Sequence, residues 1–278
     1  MEKAQQENLV LKRSLTGALL IGIILAMTFV GSNGFLLLLL VINELAILEY
    51  QRLIDRTGVS IQKLPCQVIG ALFIFISWLL TEQLYHASVL MLLIPVIPLM
   101  FIIELFRNKV NPFQNIALSI MGLIWISVPL SLFLCIGFLP FQGGQYMPTM
   151  VIAYFIILWF SDTGAYLAGT LAGRHKLFPR ISPNKTWEGS VGGLLLALLA
   201  GSLNFILFHH MQLSQWLWLA IIINISGTLG DFTKSMLKRT AGVKDSGTLL
   251  PGHGGILDRF DSLIGSAPFA FIYLYYIL

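Results

Sequence analysis

Residues 115–139 read NIALSIMGLIWISVPLSLFLCIGFL, a run of 25 positions without a charged side chain. A helix needs about 20 mostly apolar residues, within a range of roughly 17–25, to cross the hydrocarbon core of a bilayer. This run therefore predicts a transmembrane helix, and it decides the class of the fold.

Eight further runs have the same apolar character. The nine runs are 15–31, 35–50, 66–81, 88–105, 115–139, 149–171, 190–208, 214–231 and 262–278. Together they predict an all-α polytopic membrane protein with about nine transmembrane helices. The first run follows basic residues, as in a signal peptide, but it lacks a clear small-residue cleavage site before the second run. We therefore interpret it as a helix.

The composition agrees with this class. Of 278 residues, 56% are hydrophobic and only 11% are charged, whereas soluble domains carry about 25% charged residues. This balance excludes an ordinary cytosolic enzyme, a disordered segment and a DNA-binding module. The two cysteines, Cys66 and Cys135, are too few for a disulfide framework and are expected to be small buried hydrophobic side chains.

The Lys and Arg side chains alternate along the runs. They precede the first run and follow the second, fourth, sixth and eighth runs, whereas the connections 82–87, 140–148 and 209–213 contain none. Because cytoplasmic loops carry an excess of Lys and Arg, this alternation predicts a cytoplasmic N-terminus and an external C-terminus. The net charge of +4 is then explained by topology, and we expect no nucleic acid as a partner.

The two halves of the chain differ in their cytoplasmic connections. Residues 172–189 and 232–261 together hold nine of the 17 basic residues. We therefore predict an N-terminal transmembrane region, 1–145, that is lipid-facing and structural. Residues 146–278 are predicted to form the C-terminal catalytic transmembrane region, which contains both loops.

Acidic residues at termini, loops and run ends are expected to be solvated surface charges. These residues are Glu2, Glu7, Glu49, Asp55 and Glu82. Residues 49–56 are typical of a helix that continues from the second run along the membrane surface. Glu44 and Glu104 lie in or near apolar runs, where we favour interhelical hydrogen bonds or a side chain that reaches the interface. A functional role is the alternative.

Asp162 differs from these two glutamates because it belongs to a polar patch inside an apolar run. The patch, residues 161–166, reads SDTGAY. An ionised carboxylate is costly within a bilayer, so a functional role is the default expectation for Asp162, and Ser161 belongs to the same patch.

The strongest cluster of chemically active residues begins at Asp231. Helical continuation places Lys234, Ser235 and Lys238 at i+3, i+4 and i+7, on the same face as Asp231. Further along, Asp258 and Asp261 share one side of a helical turn.

Glycine-rich residues 251–255, PGHGG, lie between these two groups and can bring backbone N–H groups close to phosphate oxygens. Carboxylates beside basic residues suit Mg²⁺ that bridges phosphates. For any single residue the alternative is a structural role in a solvated loop, in which the acids cap helices and the lysines follow the positive-inside rule.

Residues 172–189 offer a second set of groups suited to phosphate. Their four basic side chains are Arg174, Lys176, Arg180 and Lys185. Pro183 and Asn184 predict a turn, which would let Ser182, Lys185 and Thr186 meet a phosphate beside the membrane. A basic loop attracted to anionic lipid headgroups is an equally good interpretation. The sequence contains neither GxGxxG nor GxxxxGK[ST], so neither a Rossmann fold nor a P-loop is indicated.

These residues resemble a known family. Residues 235–261, SMLKRTAGVKDSGTLLPGHGGILDRFD, are similar to the phosphatidate cytidylyltransferase signature, S-x-x-K-R-x4-K-D…H-G-G-x-x-D-R-x-D. The pair Gly230–Asp231, the SDTGAY patch and residues 182–189, SPNKTWEG, also look like that family. The specific resemblance covers roughly 161–261.

The resemblance implies the reaction of CTP with phosphatidate to give CDP-diacylglycerol and pyrophosphate, at the inner face of a bacterial-type membrane. It also implies Mg²⁺, a second monovalent cation such as K⁺, and a homodimer. Asp231, Asp258 and Asp261 carry over as the metal-site carboxylates, with Ser235 and Lys238 near the phosphates.

The resemblance and the residue chemistry together give the following assignments. The catalytic residues are Asp231, Lys238, Asp258 and Asp261, and the three aspartates are the metal ligands. The residues for CTP or pyrophosphate are Ser235, Arg239, Lys244, Asp245, His253, Gly254, Gly255 and Arg259. The residues for the lipid phosphate are Arg174, Ser182, Lys185 and Thr186, and the second polar patch is Ser161 with Asp162.

Two other functions remain open from the sequence. A polyprenol or dolichol kinase would also use CTP, metal and phosphate contacts. An anionic-solute transporter would instead need ionisable residues near the bilayer midplane, whereas the charges here concentrate at one face.

Overall fold

A computed structural model describes residues 2–139, 145–243, 247 and 254–278, with side chains from residue 15 onward. The helices of the N-terminal half are α1 Glu2–Phe29, α2 Ser32–Asp55, α3 Lys63–Thr81, α4 Val96–Arg107, α5 Pro112–Gly122 and α6 Val128–Ile136. A 3₁₀ segment, Ala87–Leu93, precedes α4, and a π-helical segment, Leu123–Ser127, joins α5 to α6.

The C-terminal half contains four longer helices and one small sheet. Its elements are α7 Pro148–Ala172, β1 Lys176–Phe178, β2 Ser182–Thr186, α8 Trp187–Leu207, α9 Leu213–Thr240 and α10 Leu257–Ile277. α7 packs on α8, α8 on α9 and α9 on α10, so these four helices form one continuous bundle.

Each of the nine apolar runs falls on helical residues, although the runs 88–105 and 115–139 are each divided among successive helical segments. Eight helical stretches within the described residues, from Ser32–Asp55 to Leu257–Ile277, are long and apolar enough to cross a membrane. The first run corresponds to Leu15–Phe29, a shorter apolar helix. The predicted class, a helical polytopic membrane protein, is therefore confirmed.

Residues 172–189 are more ordered than the predicted loop, because they contain a β-hairpin. β1 and β2 pair antiparallel, with Lys176 opposite Thr186 and Phe178 opposite Ser182. The predicted turn at Pro183–Asn184 is wrong, since both residues belong to β2 and the turn occupies 179–181. Proline is tolerated in an edge strand of this kind because its missing N–H need not face a partner.

The predicted helical continuation of the eighth run is confirmed, because α9 extends to Thr240 as a single helix. It crosses α10 at unusually short range. A Cβ on Gly230 would lie 2.6 Å from the Asp261 carbonyl oxygen and 2.7 Å from Gly265 Cα. Small residues allow such backbone contact between membrane helices, and here the contact sets Asp231 beside Asp261.

Two predictions for the end of α2 are wrong. Residues 49–55 do continue the helix, but Tyr50, Leu53 and Ile54 are buried in the bundle and do not lie along a membrane surface. Glu49 is 0% exposed, so it is not a solvated charge. Its backbone N–H donors come from α10, more than 200 residues away, which local sequence cannot reveal.

Glu104 forms the interhelical hydrogen bonds that its apolar setting predicts. Its carboxylate accepts from Gln62 Nε2 at 2.8 Å and Asn115 Nδ2 at 2.7 Å, and it also pairs with Arg107. Glu44 is half-buried and accepts from Asn43 Nδ2 at 3.2 Å. Both glutamates thus have structural partners.

Candidate active site

The polar face of α9 is turned into the protein. Lys234, Ser235 and Lys238 are all buried, and Lys234 is only 5% exposed. Asp231, one turn earlier, is partly accessible. Helical spacing predicts this shared face, and the structure confirms it.

α10 brings two further carboxylates to the same place. Asp258 and Asp261 lie in its first two turns, and the close crossing at Gly230 sets them opposite α9. Lys234 Nζ lies 2.8 Å from Asp231 Oδ1 and 3.2 Å from Asp258 Oδ1, and it also contacts Asp261 Oδ2. One ammonium group therefore bridges all three aspartates that the sequence assigns to metal binding.

Two other lysines complete the cluster. Lys238 Nζ lies 2.7 Å from Asp258 Oδ1, and Lys185 of the hairpin pairs with Asp231. The cluster of Lys185, Asp231, Lys234, Lys238, Asp258 and Asp261 is called the acid–lysine cluster below. Its three carboxylates and three ammonium groups balance in formal charge, which reduces the cost of burial.

Aromatic contacts fix the hairpin on α9. Phe178 of β1 packs edge-on against Phe232, with ring centroids 4.9 Å apart. Lys185 Nζ lies 4.7 Å from the centre of the same Phe232 ring. These contacts with Phe232 explain how Lys185, from the segment 172–189, reaches Asp231. The distribution of charges along the sequence does not reveal this contact.

A cavity of about 660 Å³ opens onto the acid–lysine cluster. Ser161 and Asp162 of α7 line it together with Asn184, Lys185 and Thr186 of the hairpin. Asp231, Lys234, Asp258 and Asp261 form its remaining charged wall. The SDTGAY patch, the SPNKTWEG segment and the cluster 231–261 therefore meet in one pocket, as their separate polar character suggests.

Several assigned residues lie outside this pocket or serve local structure. Arg174 and Arg259 are exposed, and Arg239 Nε donates to the Ile181 carbonyl at 3.4 Å. Ser182, Ser235 and Lys238 are not among the residues that line the pocket. Thr186 lines the pocket, and its hydroxyl also caps α8 by accepting from Gly189 N at 3.1 Å.

The glycine-rich segment is described only in part. Gly254 has a φ of +80°, a conformation that favours glycine, and Gly255 N donates to Asp258 Oδ2 at 3.4 Å. Lys244, Asp245 and His253 lie outside the described residues. The segment thus ends directly on one of the cluster's carboxylates.

Sequence reasoning missed two residues that the structure places centrally. The i+3 spacing places Lys234 on the face of Asp231, but it does not indicate that Lys234 contacts all three aspartates. The sequence predicts a solvated Glu49, whereas its carboxylate accepts from backbone N–H groups at the start of α10.

The sequence is similar to known proteins over nearly its whole length. The sequence profile of the cytidylyltransferase family matches residues 11–277. The chain belongs to the cytidylyltransferase family. Because the match spans nearly the whole chain, it includes the N-terminal half as well as the acid–lysine cluster.

Relatives named phosphatidate cytidylyltransferase are similar over most of their length. The protein of Staphylococcus haemolyticus is 34% identical over 264 residues, covering 92% of this chain and 95% of the relative. That of Staphylococcus epidermidis is 36% identical over 247 residues, covering 85% and 89%. That of Staphylococcus saprophyticus is 35% identical over 245 residues, with the same coverage.

The three aspartates provide oxygen ligands of the kind that a divalent cation binds. Asp231 and Asp261 both contact Lys234 Nζ, and two ionised carboxylates so close together need a positive charge nearby. Lys234 supplies a positive charge there. Within the described residues no three Asp, Glu, His or Cys side chains surround an ion-sized position, since the carboxylates are turned towards lysines.

A second cavity lies on the other side of the α9–α10 crossing. It measures about 830 Å³, and apolar residues such as Leu229, Leu237 and Phe269 line most of it. Gly230 and Gly265 contribute to its wall. The close contact between these two glycines separates the apolar cavity from the polar pocket.

Proposed function

We propose that the protein is a phosphatidate cytidylyltransferase, which transfers the cytidylyl group of CTP to phosphatidate in phospholipid biosynthesis. The observation that carries the proposal is the acid–lysine cluster in a polar pocket, at the end of helices long enough to cross a membrane. The names of the Staphylococcus relatives support the choice of CTP and phosphatidate as substrates.

The proposed reaction is a substitution at the α-phosphorus of CTP. A phosphate oxygen of phosphatidate forms the new P–O bond, and the bond between the α-phosphorus and the bridging oxygen of the β-phosphate breaks. Pyrophosphate leaves with that electron pair, and CDP-diacylglycerol is formed. The attacking phosphate is already anionic near neutral pH, so the protein needs no strong general base.

The protein's contribution is then positioning and neutralisation of charge. We assign Lys238 to the triphosphate and departing pyrophosphate, because it is buried beside Asp258. Lys185 is assigned to the lipid phosphate, because the hairpin holds it at the mouth of the pocket. Exposed Arg239 and Arg259 could approach the phosphates only from the rim.

Asp231, Asp258 and Asp261 would hold Mg²⁺. A bound Mg²⁺ would neutralise phosphate charge and orient the triphosphate, completing its shell with phosphate and water oxygens. A second cation such as K⁺ stays a prediction, and Lys234 already places one positive charge among the three carboxylates.

The site is proposed to face the cytoplasm of the cell membrane, where CTP is available. The alternation of Lys and Arg along the sequence supports this orientation. We also propose that the two lipid chains stay among the helices while the headgroup enters the polar pocket. A homodimer stays a prediction from the family resemblance.

A phosphate-release assay tests the proposed function. The full-length protein in detergent is given CTP and phosphatidate, and pyrophosphate is measured with an added pyrophosphatase. We expect pyrophosphate only when CTP, phosphatidate and Mg²⁺ are all present. Formation of CDP without pyrophosphate would indicate a kinase instead. Accumulation of an anionic solute in sealed vesicles, without turnover, would indicate a transporter.

A further inference from the structure

Glu49 lies in the N-terminal half but contacts the helix that carries the cluster's aspartates. Its carboxylate accepts from Ile256 N at 2.8 Å through Oε1 and from Leu257 N at 2.9 Å through Oε2. The residue is 0% exposed, and α2 contacts α10 along this region.

The position of these hydrogen bonds matters for the pocket. α10 begins at Leu257, so its first N–H groups lack partners within the helix. A carboxylate at this end satisfies two of them and interacts favourably with the helix dipole. Asp258 is the next residue along, and it therefore depends on where Glu49 holds the chain.

Glu49 also lies beside Gly247 in the connection between α9 and α10. A Cβ on Gly247 would lie 2.9 Å from Glu49 Oε1 and 3.2 Å from its carboxyl carbon. Gly247 therefore lies close to the carboxylate. One buried side chain thus lies against two described residues of the connection between α9 and α10, Gly247 and Ile256.

We propose that Glu49 is a positioning residue for catalysis, which fixes the first turn of α10 and hence Asp258. The proposal rests on the proposed function, because Asp258 is assigned there to Mg²⁺ and the triphosphate. It gives the α2 helix, within the region 1–145 that the sequence suggests is only structural, a direct part in building the active site.

The variant Glu49→Gln tests this role with minimal change of shape. Glutamine has one acceptor oxygen, and its amide group would face a backbone N–H where an acceptor is needed. We expect kcat/KM for CTP to fall about tenfold or more. The Mg²⁺ concentration that gives half the maximal rate should rise, whereas KM for phosphatidate should stay within about twofold of the wild-type value.

Glu104→Gln is the matched control. Glu104 is also buried, at 3% exposed, and it also accepts hydrogen bonds from neighbouring elements, but it lies in the network of Gln62 and Asn115 away from the pocket. Its replacement should lower the melting temperature in detergent and leave kcat and both KM values unchanged. Glu49→Gln kinetics equal to those of Glu104→Gln, at equal folded protein, would overturn the proposal.

The variant Glu49→Asp provides a second test of the same role. If Glu49→Gln does not accumulate, Glu49→Asp keeps the charge on a side chain one carbon shorter. It should show a smaller change of the same kind, and wild-type kinetics in that variant would contradict the proposal.

Hydrogen–deuterium exchange needs no substrate, so it separates this inference from the proposed function. Amides of Ile256 and Leu257 should exchange faster in either Glu49 variant than in wild type or Glu104→Gln. Unchanged exchange would contradict the contact itself, whatever reaction the wild type catalyses.

Discussion

Lys234 is the side chain on which the three carboxylates converge, so its removal should affect stability first. Lys234→Met keeps the length but leaves Asp231, Asp258 and Asp261 without their shared ammonium. Breaking a buried ion pair costs about 3–5 kcal/mol. We expect a corresponding fall in the free energy of unfolding, measured by denaturant titration in detergent.

A matched surface pair and added Mg²⁺ make this test specific. Lys63 pairs with Asp55 in an exposed setting, so Lys63→Met should cost no more than about 1 kcal/mol. Mg²⁺ should raise the melting temperature of Lys234→Met more than that of wild type, since the three carboxylates then need a cation. Equal effects in the two lysine variants would contradict the central place of Lys234.

Asp258 is expected to be essential for turnover but not for insertion. Asp258→Asn keeps the shape of the side chain and removes its charge beside Lys238 and Lys234. We expect the rate of CDP-diacylglycerol formation to fall about 100-fold or more, with a normal amount of protein in the membrane fraction. Near-normal activity in Asp258→Asn, compared with Asp55→Asn as control, would reject the metal assignment.

The pattern of side chains along the sequence predicts much of this site. It does not predict the residues whose positions depend on contacts between distant parts of the chain. Spacing along one helix was enough to place Lys234, Ser235 and Lys238 on the face of Asp231. Nothing local marks Glu49 as buried, because its partners Ile256 and Leu257 are brought to it only by packing of α2 on α10.

Among the helices and strands, the crossing of α9 and α10 is the contact on which the site depends most. A methyl group at position 230 would meet backbone atoms of Asp261 and Gly265, which cannot move aside as a side chain can. Gly230→Ala should therefore separate the helices, lower stability by about 1–3 kcal/mol and reduce activity. Thermal unfolding and the pyrophosphate assay measure the two effects.

Gly22→Ala provides the control for this substitution. Gly22 also lies inside an apolar helix, but an added Cβ there has no atom within 4 Å. It should leave activity unchanged and stability the same or slightly higher, because alanine favours helix more than glycine does. Similar losses in both variants would show that helix propensity, and not the crossing, is responsible.

The β-hairpin is the element of secondary structure that the sequence does not predict. Apolar runs predict the helices well because membrane helices need a fixed apolar length. Strands of three and five residues give no comparable signal, and Pro183 within β2 favours a turn by composition alone. The pairing of β2 with β1 and the packing of Phe178 against Phe232 outweigh this local preference for a turn.

For the whole molecule, the distribution of Lys and Arg predicts orientation in the membrane. An added cysteine at Arg180 in the hairpin turn or at His86 in the 82–87 connection probes opposite sides, and both positions are exposed. An impermeant maleimide should label His86→Cys in intact spheroplasts and Arg180→Cys only after permeabilisation. Wild-type protein, which contains buried Cys66 and half-buried Cys135, is the background control. The reverse pattern would contradict a cytoplasmic active site.

The transfer of label from CTP to lipid tests the central claim most directly. Full-length protein, phosphatidate and Mg²⁺ are incubated with CTP labelled at either the α- or the γ-phosphorus. The proposed substitution at the α-phosphorus predicts that α-label enters the lipid and γ-label leaves as pyrophosphate. Appearance of γ-label in the lipid, with the α-label left in free CDP, would contradict it.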